Sequence, residues 1–336
     1  MIKIGLIGTG FMGSMHASCY EALAGKVGFQ VTAVADDNFE NATKLAAKFG
    51  AKAYSSGEQL ILEADVNTID ICLPTFLHTK HALLALEQGH NVFIEKPVCL
   101  TEDEAHQLLD KSSKSPGKVM VGHCIRFWTE YQYLKEVTDN STFGKIISGV
   151  FKRISPRPDW GWNNWLLDGK RSGSSALDLH IHDVDYVRYL LGEPESTVSS
   201  AVNKDGFADH IFSTYKYGEA VISLEGSWEY PVGFPFEMSY RVRFEQATLT
   251  FSSSNGGVDV YTEKGEHYRP QLEGDAPQDS AALEGGGNLS SLGGYYNELL
   301  YFLQCLTEDK EITVSPLEEG IASFRLARRE IASALK

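Results

Sequence analysis

Ile2-Lys3-Ile4-Gly5-Leu6-Ile7-Gly8-Thr9-Gly10-Phe11-Met12-Gly13-Ser14-Met15-His16 is the stretch whose reading decides the fold. The apolar, β-branched run to Ile7 predicts a buried strand, and Gly8-x-Gly10-x-x-Gly13 stands where that strand turns into a helix. Gly8 permits the tight turn, Gly10 lets the backbone approach a pyrophosphate, and Gly13 lets helix and strand pack closely. The pyrophosphate then sits on the helix N-terminus, so Thr9, Phe11 and Met12 join the glycines as expected cofactor-binding residues. Asp36, 23 residues beyond Gly13, ends the second strand-like run. An acid there accepts hydrogen bonds from ribose hydroxyls and repels a 2′-phosphate. Asp37 adds a second negative charge, so NAD rather than NADP is expected.

Outward from this turn, short apolar runs at 31–35, 68–73, 91–94 and 119–121 alternate with helical stretches. Gly50 and Gly89 suit the left-handed residue after a helix, and Thr101-x-x-Glu104 reads as a capping box. The alternation predicts an α/β fold with a doubly wound parallel sheet over residues 1–122. Beyond 122 the rhythm changes. A helix at 127–137 and a strand at 145–152 precede a Trp-rich loop and a long helix at 175–191, stopped by Gly192. Alternating strands follow at 197–202, 211–217, 220–228, 237–244, 247–251 and 258–262. Residues 274–294 read as a loop. Two helices close the chain, with Ser315 as N-cap and Pro316 at the first helical position of the last. Residues 123–336 are thus expected to form a second α/β domain with an open, largely antiparallel or mixed sheet.

The chain has 336 residues, enough for two domains, with 30 Lys+Arg against 45 Asp+Glu. A formal charge of −15 disfavours nucleic acid and anionic membrane surfaces as partners, since both are bound by Lys and Arg. Five scattered cysteines make neither a disulfide framework nor a zinc site. No secretory leader or membrane-spanning run is read, and a cytoplasmic protein with reduced thiols is expected.

Further constellations carry chemistry. Asp178 and His182 are four apart on the predicted long helix, with Asp185 extending the stripe. A carboxylate one turn from an imidazole orients it for acid–base work, although a buried structural pair reads the same way. Glu95-Lys96-Pro97 ends a strand at the carboxyl edge, where ligands bind in open α/β sheets. There a lysine is either a solvated charge or the group that polarises a substrate oxygen. Pro74 and Thr75 lead from the preceding strand to His78, a turn open to either a cofactor or a purely structural reading. Trp160, Trp162 and Trp165 can stack on a sugar or fill a core.

In this order and spacing, Gly8 to His16, Asp36, Pro74-x-x-x-His78, Glu95-Lys96-Pro97, Gly122-His123-Cys124-Ile125-Arg126-Phe127 and Asp178-x-x-x-His182-x-x-Asp185 resemble the Gfo/Idh/MocA oxidoreductases. The resemblance runs from residue 1 to the closing helix. It implies a Rossmann domain, a second domain whose open sheet makes homodimers or homotetramers, and hydride exchange between NAD(P) and a sugar, cyclitol or related polyol. Lys96, Asp178 and His182 match the family's catalytic positions. Glu95, Lys96, Pro74, Thr75 and His78 are expected on the cofactor, and Arg126, Trp165 and His180 on the substrate. His180 stands where the family usually has glycine. No metal is expected. Two rival readings stay open: an enzyme of the glycosidase or epimerase type that keeps its NAD through each turnover, and a non-enzymatic dinucleotide-binding regulator.

Overall fold

A computed structural model describes residues 1–272, 274 and 292–336. It divides into two compact units, one holding Met1–Cys124 and Asp275–Ala322, the other Ile125–Gly274 and Ser323–Lys336. The first contains β1 (Ile2–Ile7), β2 (Phe29–Ala35), β3 (Lys52–Tyr54), β4 (Thr68–Ile71), β5 (Asn91–Glu95) and β6 (Val119–Gly122), in the order β3-β2-β1-β4-β5-β6. Every pairing is parallel. Its helices are α1 (Phe11–Leu23), α2 (Phe39–Phe49), α3 (Gly57–Glu63), α4 (His78–Glu87) and α5 (Glu102–Lys114). Helix α2 ends on the left-handed Gly50 (φ 62°), and α5 opens with the expected Thr101/Glu104 capping box. Strand order reverses between β1 and β4, so the carboxyl ends of those strands form the switch point at which such sheets bind ligands.

The second unit carries α6 (Thr129–Asp139), β7 (Ile146–Pro156), α7 (Gly169–Ser172), α8 (Ser174–Asp178) and α9 (Ile181–Leu191). Its remaining strands are β8 (Ser196–Lys204), β9 (Phe207–Tyr217), β10 (Ala220–Tyr230), β11 (Glu237–Phe244), β12 (Ala247–Ser252), β13 (Val258–Thr262) and β14 (His267–Tyr268). The sheet order is β14-β13-β12-β11-β7-β10-β9-β8, antiparallel except where β7 lies parallel to β10. Helices α8 and α9 pack on this sheet. One face buries Phe151, Ile222, Leu224, Tyr240 and Val242, while Val150, Val198, Val202, Phe212 and Val221 on the other stay exposed.

The chain ends with α10 (Gly293–Thr307) and α11 (Leu317–Ala334). Three expectations change. Helix α10 and the first turns of α11 group with the first unit rather than with 123–336, because α10 packs on α1. The last helix opens at Leu317, one residue after Pro316, and the Ser315 hydroxyl donates to the Val121 carbonyl (2.8 Å). The long helix 175–191 is broken between Asp178 and Ile181, and the His180 amide donates to the Ser175 carbonyl, five residues back (2.9 Å). The hydroxyls of Ser174 and Ser175 clip the start of α8 to the Ala208 and Asp209 carbonyls (2.6 and 2.5 Å). Most of the loop read at 274–294 lies outside the described residues.

Candidate active site

In the first unit the glycine turn has the geometry its sequence predicts. Gly8 has φ 93°, and a Cβ there would stand 2.5 Å from the Cys72 carbonyl oxygen. A Cβ on Gly13 would run into the Gly8 carbonyl oxygen, so close packing of helix on strand requires glycine. A Cβ on Gly10 would meet nothing within 4 Å. Protein packing therefore does not demand glycine at position 10, whereas a ligand lying against the backbone does. No side chain caps this end of α1, and its first turn, with Phe11 and Met12, holds no acidic residue. An anion is favoured at such an end by the helix dipole and the unsatisfied first-turn amides.

Asp36 follows β2 beside this turn. One carboxylate oxygen accepts from the Thr9 amide (2.8 Å) and hydroxyl (2.7 Å), and the other from the Asn38 amide (2.8 Å). Its carboxylate is thus held next to the turn before any ribose arrives. Asp37 is exposed. After β4, Pro74 is partly exposed. Thr75 is buried, with its hydroxyl lacking a hydrogen-bond partner among the described residues. An orphaned hydroxyl beside an open turn fits a bound group, and these features together suit a dinucleotide.

Two expected cofactor residues also make hydrogen bonds within the protein. His78 is buried, with Nδ1 2.8 Å from the Pro97 carbonyl oxygen and Nε2 2.7 Å from that of Leu73. It ties the segment after β4 to the segment after β5. Burial keeps its pKa below the ordinary value, against the pull of the two carbonyls. Glu95 is also buried, its carboxylate 3.1 Å from His16 Nε2 and accepting the Lys96 amide (3.1 Å). Lys96 itself, just beyond β5, is partly exposed.

The sequence reading missed what lies beneath. His16, given no role of its own by the sequence, has company: Nδ1 is 2.9 Å from Asp70, Nε2 is 3.1 Å from Glu95, and Cys72 Sγ is 3.2 Å away. Burial, the largest single influence, disfavours a charged imidazole, but Asp70 and Cys72 together outweigh it and the His16 pKa lies well above its ordinary value. Tyr20 donates to Asp70 (2.7 Å). Glu298, on α10, is fully buried, and burial reinforced by Glu95 pushes its pKa well up. A signal was present: Asp70 interrupts the otherwise uncharged strand Thr68-Ile69-Asp70-Ile71.

In the second unit, Asp178 closes α8 and His182 lies in the first turn of α9, both with under a tenth of their surface exposed. Two further acids of α9 pair with arginines. Asp185 receives a two-pronged bond from Arg126 (2.8 and 2.7 Å) and one from Ser323 (2.7 Å). Asp183 receives two from Arg153 (3.0 and 3.2 Å). All four charged groups are buried. Arg126, expected on substrate, makes this internal ion pair. His180 is fully buried, its Nε2 lies 3.4 Å from Glu330, and a Cβ on Gly226 would come within 2.6 Å of it. Its bulk fills space left by that glycine. Trp165 is partly exposed in the segment Trp162–Leu167, while Trp160 and Trp162 are exposed.

Comparison with known proteins follows the same division. Residues 2–123 match the Gfo/Idh/MocA "Oxidoreductase family, NAD-binding Rossmann fold", and residues 131–250 match that family's C-terminal domain. The D-glucoside 3-dehydrogenase of Escherichia coli is 29% identical over 231 residues, covering 67% of this chain and 65% of its own. The myo-inositol 2-dehydrogenase of Thermotoga maritima is 28% identical over 196 residues, 57% of this chain and 55% of its own. With these relatives the chain thus shares less than two thirds of their length. A levoglucosan dehydrogenase, solved with NADH and levoglucosan, superposes with a TM-score of 0.83 at 21% identity, over 99% of this chain and 97% of that one. That likeness is one of fold.

Proposed function

The chain belongs to the Gfo/Idh/MocA oxidoreductase family, and on that footing we propose that it is an NAD-dependent dehydrogenase acting on a secondary alcohol of a sugar, cyclitol or related polyol. The observation that carries the reading is the glycine turn of the family's NAD-binding domain, open at Gly10 and flanked by a fixed Asp36. The relatives are named as dehydrogenases of glucosides and inositols, which sets the substrate class proposed.

Gly8, Thr9, Gly10, Phe11, Met12 and Gly13 receive the pyrophosphate, Asp36 the adenosine ribose, and Pro74 and Thr75 flank the cofactor. NAD, when bound, supplies the hydride acceptor. His182 takes the hydroxyl proton, Asp178 orients the imidazole, and the Lys96 ammonium stabilises the developing alkoxide. Run backwards, the same groups reduce a ketone. The exposed face of the second unit's sheet, with Val198, Phe212 and Val221, is the surface through which we propose homodimers or homotetramers form. No described helix is long and apolar enough to cross a membrane, and the five cysteines are free and buried. The cytoplasm is the compartment proposed.

Lys96→Met tests the assignment. Turnover should fall about 10²–10³-fold with NADH affinity little changed, because the lost charge acts on the alkoxide and not on the dinucleotide. Near-normal turnover would make Lys96 a structural lysine. The rise of oxidation rate with pH should vanish in His182→Ala, and its persistence would move the base elsewhere.

A further inference from the structure

We infer that His16 is a positioning residue for Lys96: as an imidazolium clamped between Asp70 and Glu95, it fixes the carboxylate that holds the Lys96 backbone amide. The inference rests on the reading of Lys96 given above.

Geometry favours the charge. Both ring nitrogens of His16 face carboxylate oxygens at hydrogen-bond distance, 2.9 Å to Asp70 and 3.1 Å to Glu95. A neutral imidazole has one N–H, so beside two ionised carboxylates one of those contacts would set a lone pair against an anion. Only the doubly protonated ring donates to both. The side chains of His16 and Asp70 are wholly buried and that of Glu95 nearly so, and two carboxylates at such depth need a cation. The other groups facing His16 do not supply one. Tyr20 and Cys19 come from its own helix, Cys72 follows β4, Phe93 packs edge-on from β5, and Glu298 reaches in from α10. Burial raises the pKa values of Tyr20, Cys19, Cys72 and Glu298 alike, which favours their neutral forms. The nitrogen–oxygen distances near 3 Å are those of N–H···O bonds.

The link to Lys96 is short. One oxygen of Glu95 faces His16 and the other accepts the Lys96 N–H at 3.1 Å. Glu95 is the last residue of β5, so its fixed carboxylate sets the direction in which the chain leaves the strand. Glycine at 122 on β6 leaves the room: a Cβ there would stand 3.1 Å from the same Glu95 oxygen that faces His16. His16 also lies three residues beyond Gly13 on α1. One helix thereby presents its N-terminus to the pyrophosphate and its second turn to the support of Lys96.

A double-mutant cycle and a direct view of the protons test this. Turnover is followed as NADH formation with whichever of a panel of cyclitols and aldoses reacts fastest. Glu95→Gln and His16→Gln should each lower kcat at least tenfold. The pair Glu95→Gln/Lys96→Met should be no slower than Lys96→Met alone, because Glu95 acts through Lys96. Losses that multiply would overturn the inference, since a general loosening of the fold damages both backgrounds. So would a Glu95→Gln enzyme within twofold of wild type while Lys96→Met is crippled. A Lys96→Met enzyme of normal turnover would instead remove the reading on which the inference rests. Neutron diffraction from deuterated wild-type crystals at pD 8 needs no variant and no substrate. Deuterons on both Nδ1 and Nε2 of His16 are expected, and a single deuteron would overturn the proposal.

Discussion

Replacing Asp36 by Asn isolates charge from shape at the ribose site. The amide keeps an acceptor for the Thr9 hydroxyl and amide, which hold the carboxylate at 2.7 and 2.8 Å, and gives up only the bond from the Asn38 amide (2.8 Å), so the turn at Thr9 should survive. What changes is repulsion. Two unit charges 4 Å apart repel by about 1 kcal/mol in bulk water and about 4 kcal/mol at an effective dielectric near 20. A phosphate monoester carries about −1.5 to −2 charges at pH 7. A 2′-phosphate on a ribose bound to Asp36 therefore meets at least about 1.5 kcal/mol of repulsion, which exceeds one tenfold step in affinity. Fluorescence titration with NADH and NADPH measures the difference without any substrate. Wild type should bind NADPH at least tenfold more weakly, and Asp36→Asn should bring the two to within about threefold. Raising ionic strength should narrow the wild-type gap, because Asp36 is partly exposed and its field is screened. Equal affinities in wild type, or an unaltered ratio in Asp36→Asn, would refute the argument.

Arg126→Met should cost about 3–5 kcal/mol of unfolding free energy, because it strands the buried Asp185 carboxylate, and a urea midpoint close to wild type would contradict that. His180→Gly should lower the melting temperature by leaving a void against Gly226 and Glu330 alone, with kcat and KM of the folded enzyme unchanged. A selective rise in KM would return His180 to the substrate. Glu298→Gln should raise the melting temperature more at pH 8 than at pH 5. The folded-state pKa of Glu298 is raised above the unfolded value, so the native state binds the extra proton and loses stability as pH rises through that interval. An equal gain at both pH values would show an ionised Glu298. Light scattering should find a dimer or tetramer at micromolar concentration, and Phe212→Glu on the exposed sheet face should shift it towards monomer; a wild-type monomer would end that proposal.

The first unit was largely legible because its signals are local. Gly8 and Gly13 answer to backbone geometry within a few residues, and Gly50 and Thr101 mark helix ends by their own conformational and capping chemistry. What the sequence hid is set by contacts distant along the chain. His16 meets Asp70 and Glu95 across 54 and 79 positions, and no spacing rule reaches that far. Arg126 and Asp185, 59 apart, satisfy one another, and nothing in either local segment says so. The break before His180 was equally invisible. Periodicity sees an unbroken helical stripe there, and the bonds of Ser174 and Ser175 to carbonyls on β9 are distant along the chain too. Even Glu95 and His78 have clear local motifs but unexpected duties, since a motif gives a position and not the direction of a side chain.

Absorbance at 340 nm on mixing enzyme and NAD with myo-inositol, D-glucose and simple glucosides tests the central claim most directly. NADH accumulating in step with one of these alcohols, at a rate reduced about 10²–10³-fold in Lys96→Met, is the predicted result. Product formed without accumulating NADH would replace the dehydrogenase by an enzyme that reoxidises its cofactor within each turnover, and NADH binding with no reaction on any polyol would contradict hydride transfer altogether.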